Sequence, residues 1–388
     1  MMAHEKRAHA LLSASGAHRW LLCTPSARLE EQFPDTTSEA AKEGTLAHEL
    51  AELKIQLLNN DITKRSYNAR VKKLKENSLW NDEMESCTQE YADAVNDCAL
   101  TYNTAPAIMV EQQVDLSKYI PEGFGTVDCA VMGGDTLHVF DYKHGKGVPV
   151  SAENNPQMML YALGIIAKYE IIYSFNKIIL HIVQPRISNI SSWEVSPEQL
   201  KNFGETVKAK AKLAYAGLGD FNPGDEQCKF CRARATCRAR ADKNVELAFA
   251  ADAKPETLTN EKIGVYLEKG ETVAKWLKDL QDYALAQCLA GKAVTGWKAV
   301  EGRSTRDWSD MDQAFKALIE GGTPEEMLWE RKAKTLAQIE KIIGKKEFED
   351  LCGAFVVKPP GKPTLVPESD KRPAVTNVVT AEDAFGDK

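Results

Sequence analysis

Residues 125–143 read GTVDCAVMGGDTLHVFDYK, two runs of alternating side chains around a Gly133-Gly134 pair. Valine, phenylalanine and tyrosine in near-alternation predict strands over 125–131 and 136–142, and the glycine pair predicts a hairpin between them. A further strand is expected just upstream, over 108–114. With the turn centred on Gly133-Gly134, Asp128 falls opposite Val139. Alternation then places Val139, Asp141 and Lys143 on one face, with Asp128 one diagonal step from Asp141. Diagonal neighbours stand about 7–8 Å apart, within the span of two carboxylates reaching for one cation. Two aspartates and a lysine are costly on a buried face without a partner. An exposed sheet face is the bland alternative, but Val127, Val131, Val139 and Phe140 around them favour burial.

Working outward, residues 38–58 predict a helix whose core stripe is Leu46, Leu50, Leu53 and Leu57, with His48 and Glu52 together on the opposite face. Residues 82–102 predict another, centred on Tyr91, Ala94, Val95 and Cys98. Residues 10–30 read as a short helix or helical turn running into Cys23 and Pro25. Downstream, Asn155-Pro156 opens a helix to about Lys168, proline being tolerated in a first turn. Residues 177–183 form an Ile-rich strand and 191–195 a further one, and a helix from Pro197 to about Ala216 follows. The order is helix, three strands, helix, strand.

A length of 388 residues predicts one large domain and a smaller one. The composition changes at 245–258, which separates a domain over 1–245 from an α-rich extension over 255–355. That extension begins with a long helix over 259–290. Residues 296–308 read as a hairpin or extended segment carrying Lys298, Arg303 and Arg306, and Pro, Lys, Ser and Asp dominate a tail over 356–388 expected to be extended or disordered. No apolar run is long enough for a membrane span, and the first residues lack an apolar signal core, so a cytoplasmic chain without membrane partners is expected. The net charge of −7 leaves phosphate contact to local patches. One such patch is Lys229, Arg232, Arg234, Arg238, Arg240 and Lys243, which is otherwise a solvated helix face.

Nine cysteines, five of them scattered singly, do not form a disulfide framework. The remainder are a C-x2-C-x5-C triplet, Cys228, Cys231 and Cys237, with Cys23 as a distant fourth. Four thiolates suit zinc, although the triplet lacks the second C-x-x-C pair of a zinc ribbon.

Asp128-x12-Asp141-x-Lys143, preceded by Gly125, resembles the signature of the PD-(D/E)XK nuclease superfamily, and the element order resembles its αβββαβ core. Gly44-x-x-x-His48 and Gln157-x-x-x-Tyr161 resemble two motifs of its RecB-like members. The four cysteines resemble the iron–sulfur staple of AddB-type and CRISPR-adaptation nucleases. The whole chain is similar to a phage and prophage family long catalogued as a domain of unknown function. The resemblance implies an α/β restriction-endonuclease-like fold with helical additions and a metal-dependent DNA exonuclease of phage recombination or replication, in the bacterial host cytoplasm. It makes His48, Asp128, Asp141 and the Tyr142 carbonyl ligands of Mg²⁺ or Mn²⁺, an imidazole leaning towards Mn²⁺. Lys143 then orients or activates the attacking water, while Gln157 and Tyr161 hold the DNA backbone or the active strand. Glu111 and Glu52 are candidate outer carboxylates. Cys23, Cys228, Cys231 and Cys237 become ligands of a [4Fe–4S] cluster, with Zn²⁺ as the rival. Linear or single-stranded DNA ends are the expected partner, touched by Arg232, Arg234, Arg238, Arg303 and Arg306, with a phage single-strand annealing or binding protein beside them. The rival functions are a non-catalytic DNA-binding or scaffolding protein on the same fold and a zinc-stapled structural module. The intact Asp128, Asp141 and Lys143 set argues against the first.

Overall fold

The computed structural model describes residues 10–34, 38–249, 260–300, 310–322, 324–329 and 335–356. The chain divides into two compact units, Met1–Val300 and Glu301–Lys388. The larger unit opens with two short helices, α1 (Ala17–Trp20) and α2 (Ser26–Glu30), followed by α3 (Glu39–Leu58), α4 (Lys64–Lys75) and α5 (Asp82–Leu100). Strands β1 (Ala107–Asp115), β2 (Phe124–Gly133) and β3 (Thr136–Tyr142) come next, then α6 (Pro156–Tyr169), β4 (Lys177–Gln184) and β5 (Asn189–Val195). Helices α7 (Pro197–Ala216), α8 (Asp225–Lys229), α9 (Arg238–Phe249) and α10 (Asn260–Leu289) complete it.

The five strands form one mixed sheet in sequence order. β3 and β4 run parallel and every other pair is antiparallel, so α6 is the crossover that parallel pairing demands. Each sheet face carries its own core. On one, α6, α7 and the first helices cover Ala130, Met132, Val139, Leu180 and Ile182. On the other, α3 and α5 cover Cys129, Val131, Phe140 and Tyr142 through Leu46, Leu50, Leu53, Tyr91 and Val95. A mixed sheet with helices on both faces is an α/β architecture.

Local chemistry fixes where these elements begin and end. The Ser38 side chain accepts from the Ala41 amide at the start of α3, and Asn155 caps α6 ahead of Pro156. Helix α7 opens on a Ser196/Gln199 capping box and ends at Gly217 with φ 70°. α4 lies in a stretch for which no element is expected from the sequence. Tyr67, Val71 and Leu74, at +4 and +3 spacing, pack it against the second core as a short apolar stripe in a strongly basic segment.

The hairpin register differs from the one expected. Gly133 pairs with Thr136 and Ala130 with Val139, so the turn is Gly134-Asp135 and Val139 does not face Asp128. Gly134 adopts φ 58°, whereas Gly133 is small for another reason: a Cβ there would lie 2.6 Å from the Tyr102 ring. Continuing the observed register by one pair brings Asp128 level with Asp141.

Close approach of α6 to β1 also depends on a missing side chain. A Cβ on Gly164 would lie 2.8 Å from the Val114 Cβ, an atom that cannot move without its strand. Gly164→Ala is therefore expected to destabilise by about 1–3 kcal/mol despite alanine's better helix propensity. A denaturation midpoint equal to or above wild type would refute this reading of the contact.

In the smaller unit the described residues include three short helices, α11 (Met311–Glu320), α12 (Leu336–Ile343) and α13 (Lys345–Cys352). The expected tail over 356–388 lies, beyond Val356, outside the described residues.

Candidate metal centre and cysteine cluster

Between the pairs Val110–Cys129 and Gln112–Val127, the ladder of β1 and β2 skips Glu111 and Asp128. Glu111 has φ 46°, a left-handed conformation that costs a non-glycine residue about 1 kcal/mol or more. This irregularity brings Glu111 and Asp128 together with His48 of α3. One ligand atom from each of the three lies within 4.8 Å of the others, the only such trio among the described residues. His48 Nδ1 is 3.4 Å from Asp128 Oδ2, which also accepts from the Tyr142 backbone N–H at 2.9 Å. Glu111, an outer carboxylate on its sequence context alone, stands in the trio itself. Its signal is backbone strain, which no sequence pattern displays.

Asp141 belongs to a second, adjoining group. Its side chain is almost wholly buried, with Lys143 Nζ 2.8 Å from Oδ2 and the Gln157 amide donating to Oδ1 at 3.1 Å. Gln157 also donates to the Tyr161 hydroxyl at 3.1 Å and accepts from Lys143 at 3.3 Å. Gln157 and Tyr161, four apart on α6, thus brace the end of β3. Burial disfavours the charged Lys143, but Asp141 and Asp128 outweigh it and hold its pKa above the ordinary lysine value. Burial in turn raises Asp141, with Lys143 pulling it back and Asp128 adding to the rise.

A further network, invisible in the sequence, fixes the segment that follows β3. Buried His144 lies between the Tyr142 hydroxyl, 2.8 Å from its Nδ1, and Glu43 of α3, 3.4 Å from its Nε2. Arg186 reaches Glu43 at 3.1 Å and Glu83 of α5 at 2.8 Å, and Lys146 reaches Glu83 at 3.0 Å. Of the outer candidates, Glu52 accepts from Gln56 at 2.7 Å.

Glu111 is exposed, yet desolvation by the atoms crowding its carboxyl, then the charges of Asp128 and Glu52, push its pKa up to about 8. Its unfolded value is near 4.5. A folded value above the unfolded one favours folding while the group is protonated. That contribution is present below about pH 4.5 and lost as pH rises through about 8. Solvent screening keeps it small in free energy. Melting temperatures of metal-free protein between these limits should fall with pH, and Glu111→Gln should flatten the slope. An unaltered slope in the variant would assign the pH dependence to other groups.

The four cysteines singled out in the sequence come together although Cys23 and Cys228 are far apart in the chain. Cys23, Cys228, Cys231 and Cys237 line one small cavity with Phe221, Pro223 and Leu29. Backbone amides of Asn222 and Gly224 point at the sulfurs of Cys23 and Cys228, at 3.5 and 3.4 Å. The segments carrying them are joined independently. Arg28 donates to the Tyr215 carbonyl at 2.7 Å, Thr24 to that of Leu218 at 2.7 Å, and the Arg232 amide to Glu30 at 2.8 Å. Glu30 in turn pairs with Arg19 at 2.7 Å. Burial raises the thiol pKa of Cys23 and Cys228, and that of Cys231 to about 12.

The arginines expected at DNA are variously engaged. Arg232 donates to the Phe33 carbonyl at 3.3 Å. Arg234 binds Asp279 of α10 at 2.9 Å, sharing that carboxylate with buried Arg240. These pairs tie α10 to the cysteine segment. Arg238 is highly exposed and pairs with Asp242 at 2.7 Å, a surface contact worth little. Arg303 and Arg306 lie outside the described residues.

Among the described residues no helix is long and apolar enough to cross a membrane. A solved structure titled "Crystal structure of SSO0001" aligns with 50% of this chain and 97% of its own, at 13% identity and a TM-score of 0.24. The profile of the family described as "Protein of unknown function (DUF2800)" matches residues 9–373, nearly the full length, and the protein belongs to that family.

Proposed function

We propose that this protein is a divalent-metal-dependent deoxyribonuclease with a PD-(D/E)XK-type core, acting on DNA ends. The observation that carries the reading is the apposition of two groups. One is the trio of His48, Glu111 and Asp128; the other is the buried Asp141–Lys143 pair braced by Gln157. One imidazole and several carboxylates fit Mn²⁺ well and Mg²⁺ acceptably. Such an ion, held by His48, Asp128, Glu111 and Asp141, would polarise a phosphoryl oxygen and acidify bound water.

The chain's own groups do the rest. Lys143, kept cationic by Asp141 and Asp128, offsets negative charge accumulating on a phosphate. Gln157 holds both Asp141 and Lys143, so the carboxylate and ammonium keep one geometry. Tyr142 stands edge-on to His48 with ring centroids 5.4 Å apart and limits movement of the imidazole.

The cysteine cavity supports a [4Fe–4S] cluster over zinc. Four cysteines gathered around one cavity, without the paired C-x-x-C of a zinc ribbon, support that reading.

End-labelled linear DNA and closed circular DNA, incubated with Mn²⁺ or Mg²⁺, test the reading. Shortening of the linear substrate alone supports an exonuclease, and nicking of the circle supports an endonuclease. Intact DNA with either metal would favour a non-catalytic DNA-binding protein on the same fold.

A further inference from the structure

Tyr91 of α5 is 2% exposed, and its hydroxyl has no hydrogen-bond partner. A buried hydroxyl without a partner forfeits its hydration, and such groups are rare enough in folded proteins to require a reason. Its surroundings supply one. The Tyr91 ring packs against Tyr142 with centroids 5.3 Å apart, and Tyr142 in turn stands against His48. The two ring contacts place Tyr91 beside the His48 side of the site, within electrostatic reach of Cys129, Asp128, Asp141 and Glu111.

No carboxylate there accepts from the hydroxyl. Asp128 takes the Tyr142 amide and His48, and Asp141 takes Gln157 and Lys143. A phenol is an O–H donor at neutral pH, and this one has no protein acceptor. The acceptor that fits is an oxygen brought in with a cation. Resting on the metal-centre reading above, we infer that the Tyr91 hydroxyl donates to a water bound to the divalent ion held by His48, Glu111 and Asp128. Tyr91 is thus a positioning residue that completes the site from the α5 side. It orients that water through the O–H and reaches no protein ligand directly.

The inference gives metal binding and metal-free stability different responses. Removing a hydroxyl that lacks a partner costs the metal-free fold nothing, whereas removing one that meets a bound water weakens the ion. Tyr91→Phe is expected to keep or raise the melting temperature of metal-free protein. Its Mn²⁺ dissociation constant, measured by calorimetry, should rise roughly three- to tenfold, the worth of one hydrogen bond. The rise in melting temperature produced by Mn²⁺ should shrink to match. Tyr102→Phe is the control, because the Tyr102 hydroxyl is equally unpartnered and its titratable neighbours are Cys98 and Asp135 instead. It should leave Mn²⁺ affinity unchanged.

An unchanged Mn²⁺ affinity in Tyr91→Phe, with wild type binding the ion, overturns the inference and leaves the metal centre standing. A lower metal-free melting temperature with unchanged affinity overturns it too, marking the hydroxyl as structural. Equal weakening in Tyr102→Phe would do the same. Wild-type protein that binds no Mn²⁺ at all overturns the metal centre itself, a distinct outcome.

Discussion

Asp141→Ala and Asp141→Asn are both expected to lower metal-dependent DNA cleavage by roughly a thousandfold or more, about 4 kcal/mol of lost transition-state stabilisation. The two variants separate chemistry from folding. Asp141 is buried and its closest cation is Lys143. Alanine removes that anion and leaves an ammonium facing only Asp128, and breaking a buried pair from one side destabilises a fold. The same truncation relieves repulsion between Asp141 and Asp128, which offsets part of the cost. Asparagine keeps the shape and an oxygen for the Gln157 amide while removing the charge. Loss of cleavage in both, with a wild-type melting temperature in Asp141→Asn, places the defect in the reaction. Either variant cutting DNA at the wild-type rate would remove Asp141 from the site and with it the proposed mechanism.

Much of the frame was legible because it rests on periodicity. Strands 136–142 and 177–184 and the helix over 197–216 alternate or repeat as their cores require, and Ser196 and Asn155 announce their helices. The register of the hairpin was not legible. Two adjacent glycines looked like one turn, but Gly134 serves the turn while Gly133 makes room for the Tyr102 ring, and only packing distinguishes them. The site divides the same way. His48, Asp128, Asp141, Lys143, Gln157 and Tyr161 carry residue types and spacings that a reader can weigh. Glu111 enters through a strained backbone, and Tyr91 through a buried hydroxyl on a helix that reads as ordinary core. The engagement of Arg234 by Asp279 spans 45 residues, so a basic run in sequence is partly neutralised in space.

Cys23→Ser and Cys231→Ser are expected to have equal and large effects: loss of brown colour from anaerobically purified protein, and a melting temperature lower by roughly 10 °C or more. The binding free energy of a structural metal group is folding free energy, and the unfolded chain has no preformed site to share it. Hydrogen bonds from Arg28, Thr24 and the Arg232 amide already join the two segments, so the variants should fold, but less stably. Equality between the two substitutions is the stringent part. Cys231 sits in the local triplet, whereas Cys23 belongs to the N-terminal segment, and only a group that both ligate makes them equivalent. Cys352→Ser, in the smaller unit, should change neither colour nor melting temperature. Colourless wild-type protein holding one equivalent of zinc would assign the cavity to that ion. Protein with neither metal, and variants as stable as wild type, would reduce the four cysteines to packing. The gathering of four cysteines from distant segments around one cavity argues against that last outcome, and backbone amides aimed at Cys23 and Cys228 offset part of the rise that burial gives their thiol pKa. A cationic centre bound there would supply the charge that makes thiolates stable under such burial.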